Sequence, residues 1–394
     1  MGEGLRPMFF TPVPCDAPTR ASGIVPAPHP TVKITWILGA PRSGTTWLGK
    51  IFDSHPDVLY RNEPDKVLGN ALPFMCRVED LEGQRHVARA YLDRLIDIRT
   101  LRSAGKLPVF RKSYQTLKAH WLRLGMVYGL HVVNLATRGV PWPNNKAIPE
   151  VIDRAHQSPP TIVVKSVSAC GRARLFLEAL PGSRTVFIVR HPCAQVASVL
   201  RGIALGKFTG PSRELLSTDQ ALQLNLTTER FEALTPVEKL AWQWAILNQK
   251  TIDDLSAACG VRVVRYEDLV ADPASVVREL FVFAGLTWHR QTADFILKST
   301  TSNGIDRYYG IKKKSNAMIV KWHKQLSLTI NVEFSTLPVA CPSDGYLANS
   351  SKRTEPFCQA GLSTAPCTQN RQREAGAYET ERAGLRNIDH AEWL

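Results

Sequence analysis

The chain has 394 residues, is 44% hydrophobic and 21% charged, and carries a formal net charge of +14 at pH 7. This composition belongs to an ordinary globular protein with room for one large domain or two smaller ones. No apolar run approaches membrane-spanning length. The eight cysteines, at 15, 76, 170, 193, 259, 341, 358 and 367, form no Cys-x-x-Cys pair, which argues against a zinc site. The positive excess suits an anionic ligand or partner, a nucleotide, a sulfated glycan, nucleic acid or a membrane surface, without choosing among them.

Residues 1–31 are rich in proline and small residues and read as a disordered leader. They lack the apolar core of a signal peptide, so the expected default is a soluble cytoplasmic protein. From residue 32 strands and helices alternate. Ile34–Leu38 is a short buried strand and Thr45–Ser54 a helix that opens after a glycine loop. A helix-prone insertion is expected over about 84–135. Compact β-branched strands follow at Thr161–Val164, Thr185–Val189 and Val261–Val264, with helices near 171–180, 192–204 and 235–259. The last helix has a capping box, Thr235-Pro-Val-Glu238, and Gly260 as its stop. Its tryptophans, 242 and 244, read as packing residues. From about 330 the periodicity decays into a polar tail, expected to be mostly disordered. The expected fold is α/β, a three-layer sandwich around a central parallel sheet, like that of P-loop nucleotide hydrolases, with ligands at the strand C-terminal ends.

The stretch Gly39-Ala-Pro-Arg-Ser-Gly-Thr-Thr-Trp47 nearly spells a phosphate-gripping loop, but Thr45 stands where that loop has lysine. Amides around Ser43, Gly44, Thr45 and Thr46 can still cradle an anion at the helix start, with Arg42 as a fork of donors. The strands behind the loop run into cations, Lys165 and Arg190, where a magnesium-dependent hydrolase would hold its metal with a carboxylate. Such a site neutralises an anion directly, so no metal is expected. Arg190 at a strand tip and Ser198 on the second turn of the next helix can converge on one phosphate.

Four segments in this order resemble the sulfotransferases that use 3′-phosphoadenosine 5′-phosphosulfate (PAPS). They are PRSGTTW at 41–47, IVRHPCAQVAS at 188–198, VRYEDL at 264–269 and KWHKQLS at 321–327. The resemblance covers about 32–329 and implies one sulfotransferase domain there. It implies that Arg42, Ser43, Gly44, Thr45 and Thr46 bind the 5′-phosphosulfate, that Trp47 stacks on adenine and that Tyr266 contacts it. It makes Arg190 and Ser198 the 3′-phosphate pair and places Lys321 in a loop closing over the donor. Lys312, Lys313 and Lys314 are further candidates for that loop. Arg42, with Lys165 or Lys321, would neutralise the leaving oxygen. The small-phenol branch carries Lys-Thr-His where this chain has Val164-Lys-Ser-Val167, so its histidine base is absent. The segment Tyr60-Arg-Asn-Glu-Pro64 is closer to the carbohydrate and tyrosyl-protein type. It makes Glu63 the candidate base, with Asp65 in reserve and His55 shaping the turn. The acceptor expected is a carbohydrate or another larger molecule, or an acidic one, and neither nucleic acid nor a membrane span is expected. Many relatives of this type sit in the Golgi, so the Golgi lumen is the alternative compartment if the N-terminus is incomplete. Two rival readings stand beside this one, a variant kinase or NTPase using Mg-ATP and a non-catalytic nucleotide-binding module.

Overall fold

The computed structural model of the chain describes residues 33–69, 72–137, 146–153, 158–208, 210–256 and 258–301. The leader, the C-terminal tail, Lys312–Lys314 and Lys321 therefore lie outside the described residues.

Five strands, β1 (Ile34–Leu38), β2 (Val58–Asn62), β3 (Thr161–Ser166), β4 (Arg184–Val189) and β5 (Val261–Arg265), form one sheet. Their order is β2-β3-β1-β4-β5 and every neighbouring pair is parallel. Alternation along each strand sends side chains to two separate cores. On one face Trp36, Leu38, Ile162, Val164 and Phe187 pack under α3 (Leu81–Asp97), α6 (Ala173–Ala179) and α8 (Pro236–Ser256). On the other, Ile37, Val163, Val186 and Ile188 pack under α1 (Thr45–Asp53), α9 (Tyr266–Ala271), α10 (Pro273–Ala284) and α11 (Arg290–Thr301). The result is the expected three-layer α/β sandwich. Helix α7 (Pro192–Ala204) follows β4, and the short helices α2 (Asp65–Leu68) and α4 (Leu101–Ala104) follow β2 and α3.

The capping box of α8 forms as read. Thr235 N–H donates to Glu238 Oε2 (2.7 Å) and Glu238 N–H to Thr235 Oγ1 (3.3 Å). Two elements differ from the sequence reading. Strand β2 does not stand out in the sequence because Arg61 and Asn62 interrupt its apolar pattern. The structure buries all five residues, since Arg61 donates to both carboxylate oxygens of Glu150 (3.1 and 2.5 Å) and to Ile96 O (2.7 Å). The stretch expected as a covering insertion divides. Helix α3 buries Ala88, Tyr91, Leu92 and Leu95 in the main core, whereas α5 (Leu117–Ala136) packs only on a small cluster with Leu101, Ala104 and Ile148.

The Arg61–Glu150 pair is buried on both sides, so removing one partner strands a charge. Glu150→Ala is expected to cost about 3–5 kcal/mol in urea unfolding, whereas Asp93→Ala, from an exposed pair with Arg89, should stay below about 1 kcal/mol. Equal effects would show that the buried pair does not anchor β2.

Candidate active site

The loop between β1 and α1 is shaped by close approach. Gly44 sits at φ 100°, and a Cβ there would lie 2.3 Å from the Tyr266 ring. A Cβ on Gly39 would lie 2.5 Å from Ser43 Oγ and 2.7 Å from Ile188 O. Arg42 also adopts positive φ, 73°, a conformation that costs a non-glycine residue on the order of 1–2 kcal/mol. Gly44 is the N-cap of α1 and brings no capping side chain, so the first amides of the helix are left for an anion. Ser43 is fully buried and its Oγ has no hydrogen-bond partner.

Three residues singled out separately in the sequence meet beside this loop. Arg42 Nε donates to Ser198 Oγ (3.0 Å), and Arg190 Nη1 donates to Arg42 O (3.1 Å). The Arg190 guanidinium lies 4.6 Å from the centroid of the Tyr266 ring, a cation–π contact, and its Nε lacks a partner. Two contacts fix the end of β4. Trp244 Nε1 donates to Arg190 O (3.1 Å), and His191 N–H donates to Glu267 Oε1 (3.1 Å). Tyr266 is 2% exposed and its hydroxyl is unpartnered. Burial pushes that phenol up, against the pull of Arg190, so it stays neutral. Tyr266 therefore carries the loop on one side of its ring and Arg190 beside it.

A second cluster forms at the ends of β2 and β3. Glu63, at φ 47°, donates its N–H to Lys165 O (2.7 Å). Its carboxylate accepts from Lys165 Nζ and pairs with Lys66 (2.9 Å) and Arg102 (3.4 Å). Burial alone would raise the Glu63 pKa, but Lys165 and Lys66 override it and hold the carboxyl well below its usual range. Lys165 is fully buried. Lys106 adds a further cation that senses Lys165 and Glu63, and burial followed by Lys165 brings its pKa down to about 7. Asp65 has a different environment, since it accepts from Ser166 Oγ (2.8 Å) and lies 4.0 Å from Arg172. His55 donates from Nε2 to Thr287 O (2.8 Å) and accepts from Asp57 N–H at Nδ1 (3.1 Å), which makes it a turn residue.

Strand order places these groups in a row. Glu63, Lys165, the Gly39–Gly44 loop, Arg190 and Tyr266 follow β2, β3, β1, β4 and β5 in turn. Four steps of about 4.8 Å give a row about 19 Å long. Thr45 is buried and Thr46 half-buried at the start of α1. Trp47 is not brought to the open side of the loop. It is 1% exposed within the core, and its indole N–H donates to Ser299 Oγ (3.1 Å). Lys66, Arg102, Lys106, Trp244 and Glu267 were not legible as site residues. Only Glu267 carried a signal, through its place in the VRYEDL segment. Among the described residues no cluster of three His, Cys, Asp or Glu residues could hold a metal, and no helix is long and apolar enough to cross a membrane.

A family model described as "Sulfotransferase family" matches residues 35–290, and the chain belongs to that family. A search of curated proteins returned no match. Among solved structures the chain is similar to the sulfotransferase domain of the curacin biosynthetic pathway, at 17% identity and TM-score 0.41, with 79% of this chain and 99% of that one covered. It is also similar to the sulfotransferase domain of the Synechococcus PCC 7002 olefin synthase, at 17% identity and TM-score 0.36, covering 80% and 98%. A third is retinol dehydratase in complex with androsterone and the inactive cofactor PAP, at 12% identity and TM-score 0.33, covering 82% of each chain.

Lys106 gives the site a pH signature. Its folded pKa of about 7 lies below the unfolded lysine value. Between the two, the unfolded chain binds a proton that the folded chain has released, so this residue makes stability rise with pH. Thermal unfolding from about pH 7 to pH 10 should show a smaller rise for Lys106→Met than for the parent chain. Parallel curves would place the Lys106 ammonium in solvent.

Proposed function

We propose that the chain transfers the sulfuryl group of PAPS to a hydroxyl or amine of an acidic acceptor, a carbohydrate or another larger molecule, and releases adenosine 3′,5′-bisphosphate. The observation that supports this reading most is the convergence of Arg42, Arg190 and Ser198 beside an uncapped helix start. The residues fit a polyanionic donor. Ser43 Oγ, Arg190 Nε and Tyr266 Oη are buried polar atoms without partners, and the strand tips on either side of the loop carry Lys165 and Arg190. The family assignment also favours this reading over the Mg-ATP and non-catalytic ones.

In this mechanism Arg190 and Ser198 hold the 3′-phosphate and the loop from Arg42 to Thr46 holds the phosphosulfate. The donor supplies the sulfuryl group and its leaving phosphate oxygen, and the chain positions the partners and neutralises charge. Lys165 is shared between that oxygen and Glu63. An anion at the loop competes for the Lys165 ammonium, which weakens its hold on Glu63 and raises the basicity of that carboxylate. General-base action requires this change, because a carboxylate pinned far below the working pH is a poor proton acceptor. Lys66, Arg102 and Lys165 together outnumber the single Glu63 carboxylate that they pair with. That excess is the reason an acidic acceptor is favoured.

Adenosine 3′,5′-bisphosphate at about 100 times its Kd should stabilise the chain by about 2.7 kcal/mol, a shift of a few degrees, in metal-free buffer. Arg190→Ala should lose most of that shift while unfolding cooperatively. Stabilisation by Mg-ATP alone would refute the donor assignment. With PAPS and a panel of acidic and neutral acceptors, Glu63→Gln should lower kcat by about 10²–10⁴-fold while keeping the bisphosphate shift. Turnover near that of the parent chain would remove Glu63 from the base role.

A further inference from the structure

Helix α5 buries little of itself. Its inner face, with Arg123, Val127 and Leu130, rests on the Leu101–Ala104 cluster, and Arg123 Nη2 donates to Ala104 O (2.9 Å). The opposite face is exposed and, apart from Lys118 near its N-terminal end, apolar. At 100° per residue Leu117, Trp121, Gly125, Tyr128, Gly129 and Val132 fall on one side. Trp121 and Val132 are each 61% exposed and Tyr128 47%. Gly125 and Gly129 are four apart at the centre of this face, and a Cβ built on either meets nothing within 4 Å. The backbone there forms a shallow saddle between bulky side chains. Glycine in the middle of an exposed helix lowers helix stability, so two on one face are not explained by the fold of this chain alone.

We propose that the outer face of α5 is a homodimer interface, in which α5 helices of two copies of this chain cross antiparallel over Gly125 and Gly129. Small residues four apart let two helix backbones approach closely. The face is self-complementary about that point. In an antiparallel pair the Trp121 ring of one copy lies over Val132 of the other, so each bulky group meets a smaller one, as a two-fold axis requires. Leu117, Trp121, Leu122, Tyr128 and Val132 expose on the order of 550 Å² per copy, so a pair that covers this face fully buries up to about 1,100 Å², at the lower edge of a specific interface, roughly 1,000 Å². Charge argues for a second copy over a lipid surface. Lys118 is the one charged side chain exposed on α5, whereas helices that lie on membranes carry several basic residues beside their apolar face. A backbone saddle also offers nothing to lipid.

The test uses the full chain in sedimentation equilibrium across the micromolar range, with Gly125→Leu and Trp121→Glu variants. The parent should be a concentration-dependent dimer, and each variant should dissociate at least about tenfold more readily. Gly125→Leu faces open space in the monomer and improves helix propensity, so its melting temperature at a concentration where both chains are monomeric should equal or exceed the parent's. That outcome separates loss of the interface from loss of the fold. A parent that stays monomeric overturns the proposal, whether anionic vesicles or residues 302–394 then prove to cover the face. A dimer unaffected by both substitutions overturns it too. The proposal stands independently of the donor assignment, since none of these readouts involves turnover.

Discussion

The structure depends on one constraint, the parallel order of five strands with β1 in the middle. Parallel strands end on the same edge of the sheet, and each of these five delivers one element of the site to that edge. The order β2-β3-β1-β4-β5 sets Glu63 and Lys165 on one side of the glycine loop and Arg190 and Tyr266 on the other. Carboxylate and lysine are therefore separated from Arg190 and Tyr266 by the loop between them. In the proposed reaction the two sides communicate through Lys165, which lies beside the loop and holds Glu63.

The loop itself is held by shape more than by hydrogen bonds. Gly44 is pressed on Tyr266 and Gly39 on Ser43 and Ile188, so each position excludes even one methyl group. Arg42 keeps an unfavourable φ between them while its side chain reaches Ser198. The strain is tolerated because β1, β4 and α9 are locked in the sheet and the core beneath it. Lysine placement follows a related logic. Lys50 is buried against Asp53 (2.6 Å) and two carbonyls, and Lys112 reaches the same Asp53 (3.0 Å). Asp53 would be raised by burial, yet the two lysines bring it down to about 2. The basic chain thus spends some of its cations inside the fold and leaves Lys66, Arg102 and Lys106 around the carboxylate at the sheet edge.

What could be read from the sequence followed locality. β1, β4 and α7 were legible because each is a short apolar run or a helix with its end signals nearby, Gly39 after β1 and Pro192 at the start of α7. Arg42, Arg190 and Ser198 were legible because their motifs sit directly after those elements. β2 was not, because Arg61 looks like a surface residue until Glu150, 89 positions away, is seen beside it. Arg102 and Lys106 were missed for the same reason, since only the packing of α4 against β2 brings that segment beside Glu63, whereas Lys66 is a local partner three residues on that no motif marked. Trp47 shows the opposite limit. Its place in the motif suggested a base-stacking ring, and the inward side of α1 buries it against Ser299. Sequence position identifies the helix but not the face that it presents.

On the proposed reading the sheet edge from the glycine loop to Arg190 holds the donor, with phosphate anchors at Arg190 and at the loop. A crystal structure with adenosine 3′,5′-bisphosphate bound tests it most directly. The account predicts the 3′-phosphate on Arg190 and Ser198 and the 5′-phosphate against the amides from Ser43 to Thr46. A bisphosphate seated away from this edge, or with neither phosphate touching the loop, would contradict it.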